Sequence, residues 1–272
     1  MSANPSATGA ARRAANSDKM DGLARFGFAG RGAVYVLLGV LAVLLALGRK
    51  NKETDQRGAI QDLSQKSGGF VLVLILALGL TAYAIWRFSE AAFGVAGEGN
   101  KAGPRVQSLA RGLAYAFLAV SAFTIAFRGR DSSQAKDQQD LTASIMGNTA
   151  GRLLIGLVGV VIVVIGAVLV YEGITRKFEE DLKLGEMSPQ WRKVTEVLGT
   201  VGTIARGVVF AITGVLVVTA AVQFDPSKAR GIDQSLRALR DTAAGPWLLL
   251  VIAVGLIMFG LFSFCEARWR RV

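Results

Sequence analysis

Ala29-Gly30-Arg31-Gly32-Ala33-Val34-Tyr35 is written three times in this chain, returning as Leu109-Ala110-Arg111-Gly112-Leu113-Ala114-Tyr115 and as Ile204-Ala205-Arg206-Gly207-Val208-Val209-Phe210. Each copy reads small-Arg-Gly-x-x-aromatic, and a small residue follows seven places after the glycine, at Gly39, Ala119 and Gly214. Behind each copy the chain stays apolar for about four helical turns. Such a segment suits hydrocarbon, where a helix bonds all of its own backbone polar groups.

Working outward, six apolar runs emerge at 26–47, 70–92, 105–127, 153–171, 197–224 and 247–264. The first, third and fifth repeat at offsets of 80 (Arg25/Arg105, Arg31/Arg111, Tyr35/Tyr115) and 175 (Arg31/Arg206). The even runs follow at almost the same offsets. Gly79, Tyr83, Phe88 and Glu90 recur as Gly255, Phe259, Phe264 and Glu266, and Glu90 recurs as Glu172. Equal offsets for both members of a pair mean that whole two-helix units repeat. The expected fold is an all-α polytopic membrane protein with six transmembrane helices. They form three tandem hairpins, 23–94, 104–178 and 190–272, in a pseudo-threefold arrangement about the membrane normal. Residues 1–22, rich in Ala, Ser, Asn and Gly, are expected to be a mobile tail, and Gly94–Gly103 a linker. The first run is expected to be a retained span rather than a signal peptide, because two copies of it lie deep in the chain.

Composition narrows the function classes. The chain has 31 Lys and Arg against 20 Asp and Glu, yet the basic residues sit in short segments between apolar runs, without the aromatic interleaving of a single-strand binder. Anionic lipid headgroups, not nucleic acid, are the expected partner of this charge. With no histidine and Cys265 as the single cysteine, there is no expectation of a metal site, a cofactor or a histidine-dependent catalytic triad. No catalytic residues are assigned and the protein is expected not to be an enzyme. Lys and Arg divide 18 to 13 between the two sides, placing both termini in the cytoplasm of a multi-pass protein of the cell (inner or plasma) membrane.

Three loops carry weak apolar faces: Ala59, Ile60 and Leu63; Leu141, Ile145 and Met146; Ile232, Leu236 and Leu239. Each reads as a short helix shielding helix ends or lying as a lid on the membrane surface. Gly48-Arg49-Lys50-Asn51-Lys52 stops the first run, and Ser188-Pro189 suits a helix start. Tyr83, Trp86 and Phe88 are expected in an interfacial aromatic belt.

The candidate site residues are a ring of charges at one membrane depth: Arg31, Arg111 and Arg206 with Glu90, Glu172 and Glu266. Two pairings are open. Each Arg is opposed to the Glu of its own hairpin or of a neighbour, or each Glu pairs locally with Arg87, Arg176 or Arg270. The guanidinium has a structural reading, snorkelling to headgroups or stacking on the ring four places on (Tyr35, Tyr115, Phe210), and a functional one, an ion, lipid or substrate site. Gly32 and Gly39, Gly112, and Gly207 and Gly214 are expected to form smooth faces for close helix packing.

The triple motif with its hairpin repeat resembles the bacterial integral membrane family called domain of unknown function 1206, in three tandem copies over about residues 23–272. Arg31-Gly32-x-x-Tyr35 and Arg111-Gly112-x-x-Tyr115 look like the family's signature, while Arg206-Gly207-x-x-Phe210 lacks the phenol hydroxyl. The resemblance implies the fold and membrane placement but no reaction. The expected role is a scaffold or accessory subunit associated with other membrane-protein subunits. The alternative is a transporter or channel for a small solute, ion or lipid that uses the repeated Arg and Glu groups.

Overall fold

The computed structural model describes residues 18–48, 54–94, 101–128, 134–228, 231–241 and 244–271. The expected tail up to residue 17, the Arg49–Lys52 stop and residues 95–100 of the expected linker lie outside them. Nine α-helices occur among the described residues: α1 (Asp18–Ala46), α2 (Gln56–Ser64), α3 (Gly69–Phe93), α4 (Ala102–Arg128), α5 (Gln134–Ile145), α6 (Thr149–Thr175), α7 (Pro189–Gln223), α8 (Gly231–Arg240) and α9 (Gly245–Trp269). Each repeat is therefore a long helix, a short one and a second long one. The six long helices are apolar and long enough to cross a membrane.

The helices overrun the apolar segments because polar flanks continue the same backbone beyond the hydrocarbon. α7 starts at Pro189, with Ser188 as its N-cap accepting from the Trp191 amide at 3.4 Å. α1 is already helical at Asp18, inside the segment read as tail.

The long helices pack as an arc in the order α4, α3, α1, α9, α7, α6. The broadest interfaces join different repeats: α3 with α4, α6 with α7, and α9 of the third repeat with α1 of the first. Each uses the glycine of the repeated motif. A methyl group added at Gly32 would lie 2.8 Å from the Gly260 carbonyl oxygen, one at Gly207 2.8 Å from that of Gly166, and one at Gly112 2.8 Å from the Phe88 ring. The second small position continues the same seam. A methyl group at Gly39 would meet the Ala253 carbonyl oxygen at 2.8 Å, and one at Gly214 that of Gly159 at 2.7 Å. In hydrocarbon, where lipid tails are as apolar as leucine, such backbone approach and its dispersion contacts drive association.

Within a repeat the packing is uneven. α1 packs on α3 and α7 on α9, but among the described residues α4 and α6 share no packed interface. The glycines explain this. A methyl group at Gly27 would sit 2.6 Å from the Tyr83 backbone and one at Gly202 2.5 Å from that of Phe259. Gly79 likewise touches Gly30, and Gly255 touches Ala205. In the second repeat the places of Gly27/Gly202 and Gly79/Gly255 are held by Gln107 and Val161, which keep α4 and α6 apart.

The short helices cap the end opposite the termini. Ala59 and Ile60 of α2 are buried against α1, α3 and α4, so this helix shields the end of the bundle. Leu236 of α8 is buried, with Ile232 and Leu239 packed beside it. In α5 the expected face is divided: Met146, just past the helix, is buried, while Leu141 is 61% exposed. Asp233 of the third repeat accepts from the Thr54 amide of the first at 2.7 Å, and Arg57 of the first meets Asp137 of the second at 2.5 Å. The three caps are thus tied into one layer.

Candidate functional site

The motif arginines enter the bundle near the end that carries both termini. Arg31, 4% exposed on α1, donates to Ser263 Oγ at 3.1 and 3.0 Å, to Tyr83 Oη at 3.0 Å and to Glu266 of α9. Its pairing thus crosses from the first repeat to the third instead of closing on Glu90 in its own hairpin. Glu266 also receives Arg270 at 2.5 Å, and Arg270 reaches Asp181 at 2.7 Å. Both rival readings therefore hold at Glu266, one local and one interhelical. Each partner is needed, since a buried carboxylate is tolerated only when its remaining lone pairs are bonded.

Glu90 takes the local alternative. It accepts from Arg87 at 2.7 Å and from Ser108 of α4 at 2.9 Å. Tyr83 Oη joins the two clusters, accepting from Arg31 and also from Arg87 at 3.0 and 2.8 Å. A continuous chain of bonds therefore runs from Asp181 through Arg270, Glu266, Arg31, Tyr83, Arg87 and Glu90 to Ser108, with three cations matched by three anions. Arg176 pairs with Glu196 rather than with Glu172.

Tyr83 and Trp86 are 1% and 3% exposed, which corrects the expected interfacial belt: these rings face inward. Phe28 meets Tyr83 edge-on at 5.2 Å and Trp86 at a tilt at 4.9 Å, and the Arg31 guanidinium lies 4.7 Å from the Phe28 centroid. Arg25 and Arg105, the other repeated arginines, serve helix ends. Arg25 donates to the Ala267 and Arg268 carbonyls at the end of α9, and Arg105 to those of Ala91 and Ala92 at the end of α3.

The two remaining motif arginines stand differently. Among the described residues, neither Arg111 on α4 nor Arg206 on α7 has an ion-pair partner. Arg206 is held by rings, 5.7 Å from the Tyr35 centroid, 5.3 Å from Phe210 and 4.9 Å from Phe259, and its buried Nε has no hydrogen-bond partner. The expected stacking on the ring four places on is thus seen at Arg206, while Arg31 uses Phe28, Tyr83 and Phe259. Tyr35 and Tyr115 are themselves buried, Tyr35 against Phe259 and Tyr115 against Tyr83.

Arg111 and Arg206 share a chamber of about 320 Å³ with Arg31, Arg87, Glu172, Glu266 and Arg270. Lys177, Glu180 and Asp181 of the loop after α6 stand at its mouth. A second cavity of about 390 Å³ continues from the same two arginines and Glu172 along Tyr115, Leu118, Val164, Ile165 and Val168, and is lined mostly by apolar side chains. Five members of the charge ring read from the sequence thus line one chamber, while Glu90 reaches it only through its bonds to Arg87 and Ser108, and the members are not equivalent.

Sequence reasoning named Arg87 only as a local partner of Glu90 and left out Tyr83, Ser108 and Ser263 as site members. A signal existed for Arg87: its equivalents in the other even helices are Leu169 and Ser263, so it stands as an extra charge on one repeat.

Six apolar helices in three repeats, packed as an arc around a basic chamber, define a polytopic helical membrane protein with a polar site inside the bundle. The chain belongs to the family described as Domain of Unknown Function (DUF1206), which matches at residues 26–94, 106–176 and 201–270. It is similar to an uncharacterized protein of Bacillus subtilis (strain 168), YxxB, with 28% identity over 251 residues, covering 91% of this chain and 90% of the relative. No solved structure matches.

Proposed function

We propose that the protein binds an anionic ligand in this chamber and acts as a carrier or channel for it, without catalysis. The observation that supports the reading is the unequal pairing of three equivalent arginines. Arg31 is fully bonded to Glu266, Ser263 and Tyr83, whereas Arg111 and Arg206 line the cavity with no carboxylate partner among the described residues. A guanidinium held inside a bundle without a counter-ion is expensive, and intramembrane charges of this kind mark substrate paths. Planar guanidinium groups match phosphate and carboxylate oxygens. A scaffold or accessory subunit accounts for the tandem repeats but assigns no role to these two cations. The 18-to-13 division of basic residues favours a cytoplasmic position for both termini, and with them for the chamber mouth, in the cell membrane.

The test is thermal unfolding of the purified protein in an uncharged detergent with inorganic phosphate as the minimal anion. Phosphate is expected to raise the midpoint of the wild type relative to chloride and to leave Arg111→Gln/Arg206→Gln unmoved, because only a ligand bound to the folded state stabilises it. An equal shift in both proteins would refute the reading.

A further inference from the structure

We infer that the gap between α4 and α6 admits an anionic phospholipid from the bilayer, its headgroup held by Arg111 and Arg206 and an acyl chain laid along Tyr115, Leu118 and Val164. This rests on the chamber's binding an anion and names the kind of anion. Four features meet there. First, the gap is the one hairpin interface that the repeat leaves open among the described residues, with Gln107 and Val161 where the other repeats have packing glycines. Second, the basic chamber and the apolar groove are continuous, sharing Gln107, Arg111, Leu169, Glu172 and Arg206. A polar head joined to an apolar tail is the ligand shape that such a pair of cavities matches.

Third, the groove faces hydrocarbon. Val164, Ile165 and Val168 on its α6 side are 54%, 42% and 44% exposed, so a lipid tail reaches it by sliding sideways, whereas a hydrated solute has no such route. From Arg111 to Leu118 the groove runs about 10 Å along α4, and its 390 Å³ falls in the range of ordinary ligand sites. It stops at Gln56, whose segment is anchored from the third repeat by the bond from the Thr54 amide to Asp233. Fourth, the charge is complementary. Two guanidinium groups face the single carboxylate of Glu172 at this level, and the buried Arg206 Nε retains an unused donor.

The experiment is displacement of a fluorescent-tailed phosphatidylglycerol from the full-length protein in uncharged detergent micelles. The competitors are unlabelled phosphatidylglycerol, phosphatidylcholine with the same chains, and inorganic phosphate. Phosphatidylglycerol is expected to compete at least about tenfold better than phosphatidylcholine, the factor carried by about 1.4 kcal/mol of charge-assisted bonding. Arg111→Gln/Arg206→Gln is expected to erase that preference, and exposed Arg268→Gln to keep it. Ala114→Trp, on an exposed wall of the groove, is expected to weaken phosphatidylglycerol about tenfold while leaving phosphate stabilisation intact; Val168→Trp repeats the test from the facing helix should the first variant fold poorly. Unchanged phosphatidylglycerol binding in both tryptophan variants, with phosphate stabilisation intact, overturns the lipid and leaves the anion site. Loss of the preference in Arg268→Gln, or a second protein occupying the gap in stoichiometric amounts, overturns it too. Insensitivity of both phosphate and phosphatidylglycerol to Arg111→Gln/Arg206→Gln overturns the chamber as well.

Discussion

The ion pair between Arg31 and Glu266 ties the first repeat to the third, and its removal should be costly in an asymmetric way. Arg31→Met keeps the apolar stem but deletes donors to Ser263, Tyr83 and Glu266. What remains is partly repaired: Glu266 keeps Arg270 at 2.5 Å, Ser263 keeps the Phe259 carbonyl at 3.0 Å, and Tyr83 keeps Arg87. The loss should fall near the lower end of the range for breaking a buried pair, about 3 kcal/mol. Glu266→Gln leaves two buried guanidinium groups with Asp181 as the remaining carboxylate of that cluster, and should lose about 4–5 kcal/mol. Arg31→Met/Glu266→Gln should lose at least about 1.5 kcal/mol less than the sum, since the second change removes a carboxylate that has already lost one of its two arginines. The assay is reversible unfolding in mixed micelles of a mild detergent and dodecyl sulfate, followed by helical circular dichroism. A parallel cycle pairs Arg31→Met with Glu90→Gln. Its coupling should be smaller, because Glu90 is reached only through Tyr83 and Arg87. Additivity within about 0.5 kcal/mol in the first cycle, or a larger coupling in the second, would refute the cross-repeat pairing.

Gly39→Ala and Gly214→Ala should each destabilise by about 1–3 kcal/mol, because the added methyl meets carbonyl oxygens at 2.8 and 2.7 Å, while Gly22→Ala, with nothing within 4 Å, should not. Thermal unfolding of the three variants side by side checks this, and equal behaviour would place the glycine faces against lipid. In a Cys265→Ser background, Gly156→Cys/Ala221→Cys should form a disulfide readily, since a methyl at Gly156 lies 3.7 Å from the Ala221 Cβ. Ala110→Cys/Val161→Cys, the counterpart of the touching Gly30 and Gly79, should not, and rapid cross-linking there would close the proposed gap. In the same background, Ser144→Cys should label with an impermeant maleimide from outside intact cells and Gln190→Cys should not. The opposite pattern would invert the topology.

The repeat and the number of spans were legible because a bilayer leaves so few solutions. An apolar run of sufficient length must be a helix, and three copies at offsets of 80 and 175 must be like units. The glycine at the motif marked a close approach, and periodicity put Gly32 and Gly39 on one face. Which helix meets that face was not legible. Offsets establish that Arg31, Glu90 and Glu266 share a depth, and depth is silent about azimuth: Glu90 and Glu266 are equidistant in the repeat logic from Arg31. The aromatic belt failed for the same reason. Tyr83 and Trp86 stand in the last turns of α3, yet Tyr83 turns toward Phe28 and Arg31 and Trp86 toward Phe28. Leu141 shows the limit for short helices, where one apolar residue in three does not decide which side is covered.

The departures from symmetry carry more about the site than the motif does. In a perfectly threefold ring each glutamate would meet the arginine of the next repeat, as Glu266 meets Arg31, and every charge would cancel. In the third repeat this works because Ser263, small and able to accept from the guanidinium, stands three residues before Glu266. In the first repeat that place is Arg87, which captures Glu90 at 2.7 Å and leaves Arg111 without its carboxylate. In the second it is Leu169, which offers Arg206 no acceptor and lines both cavities instead. Two substitutions at one repeated position thus release two of three arginines. The glycine losses at Gln107 and Val161 open the wall beside them. The two motif arginines without an ion-pair partner and the missing contact between α4 and α6, both among the described residues, thus fall at the same place.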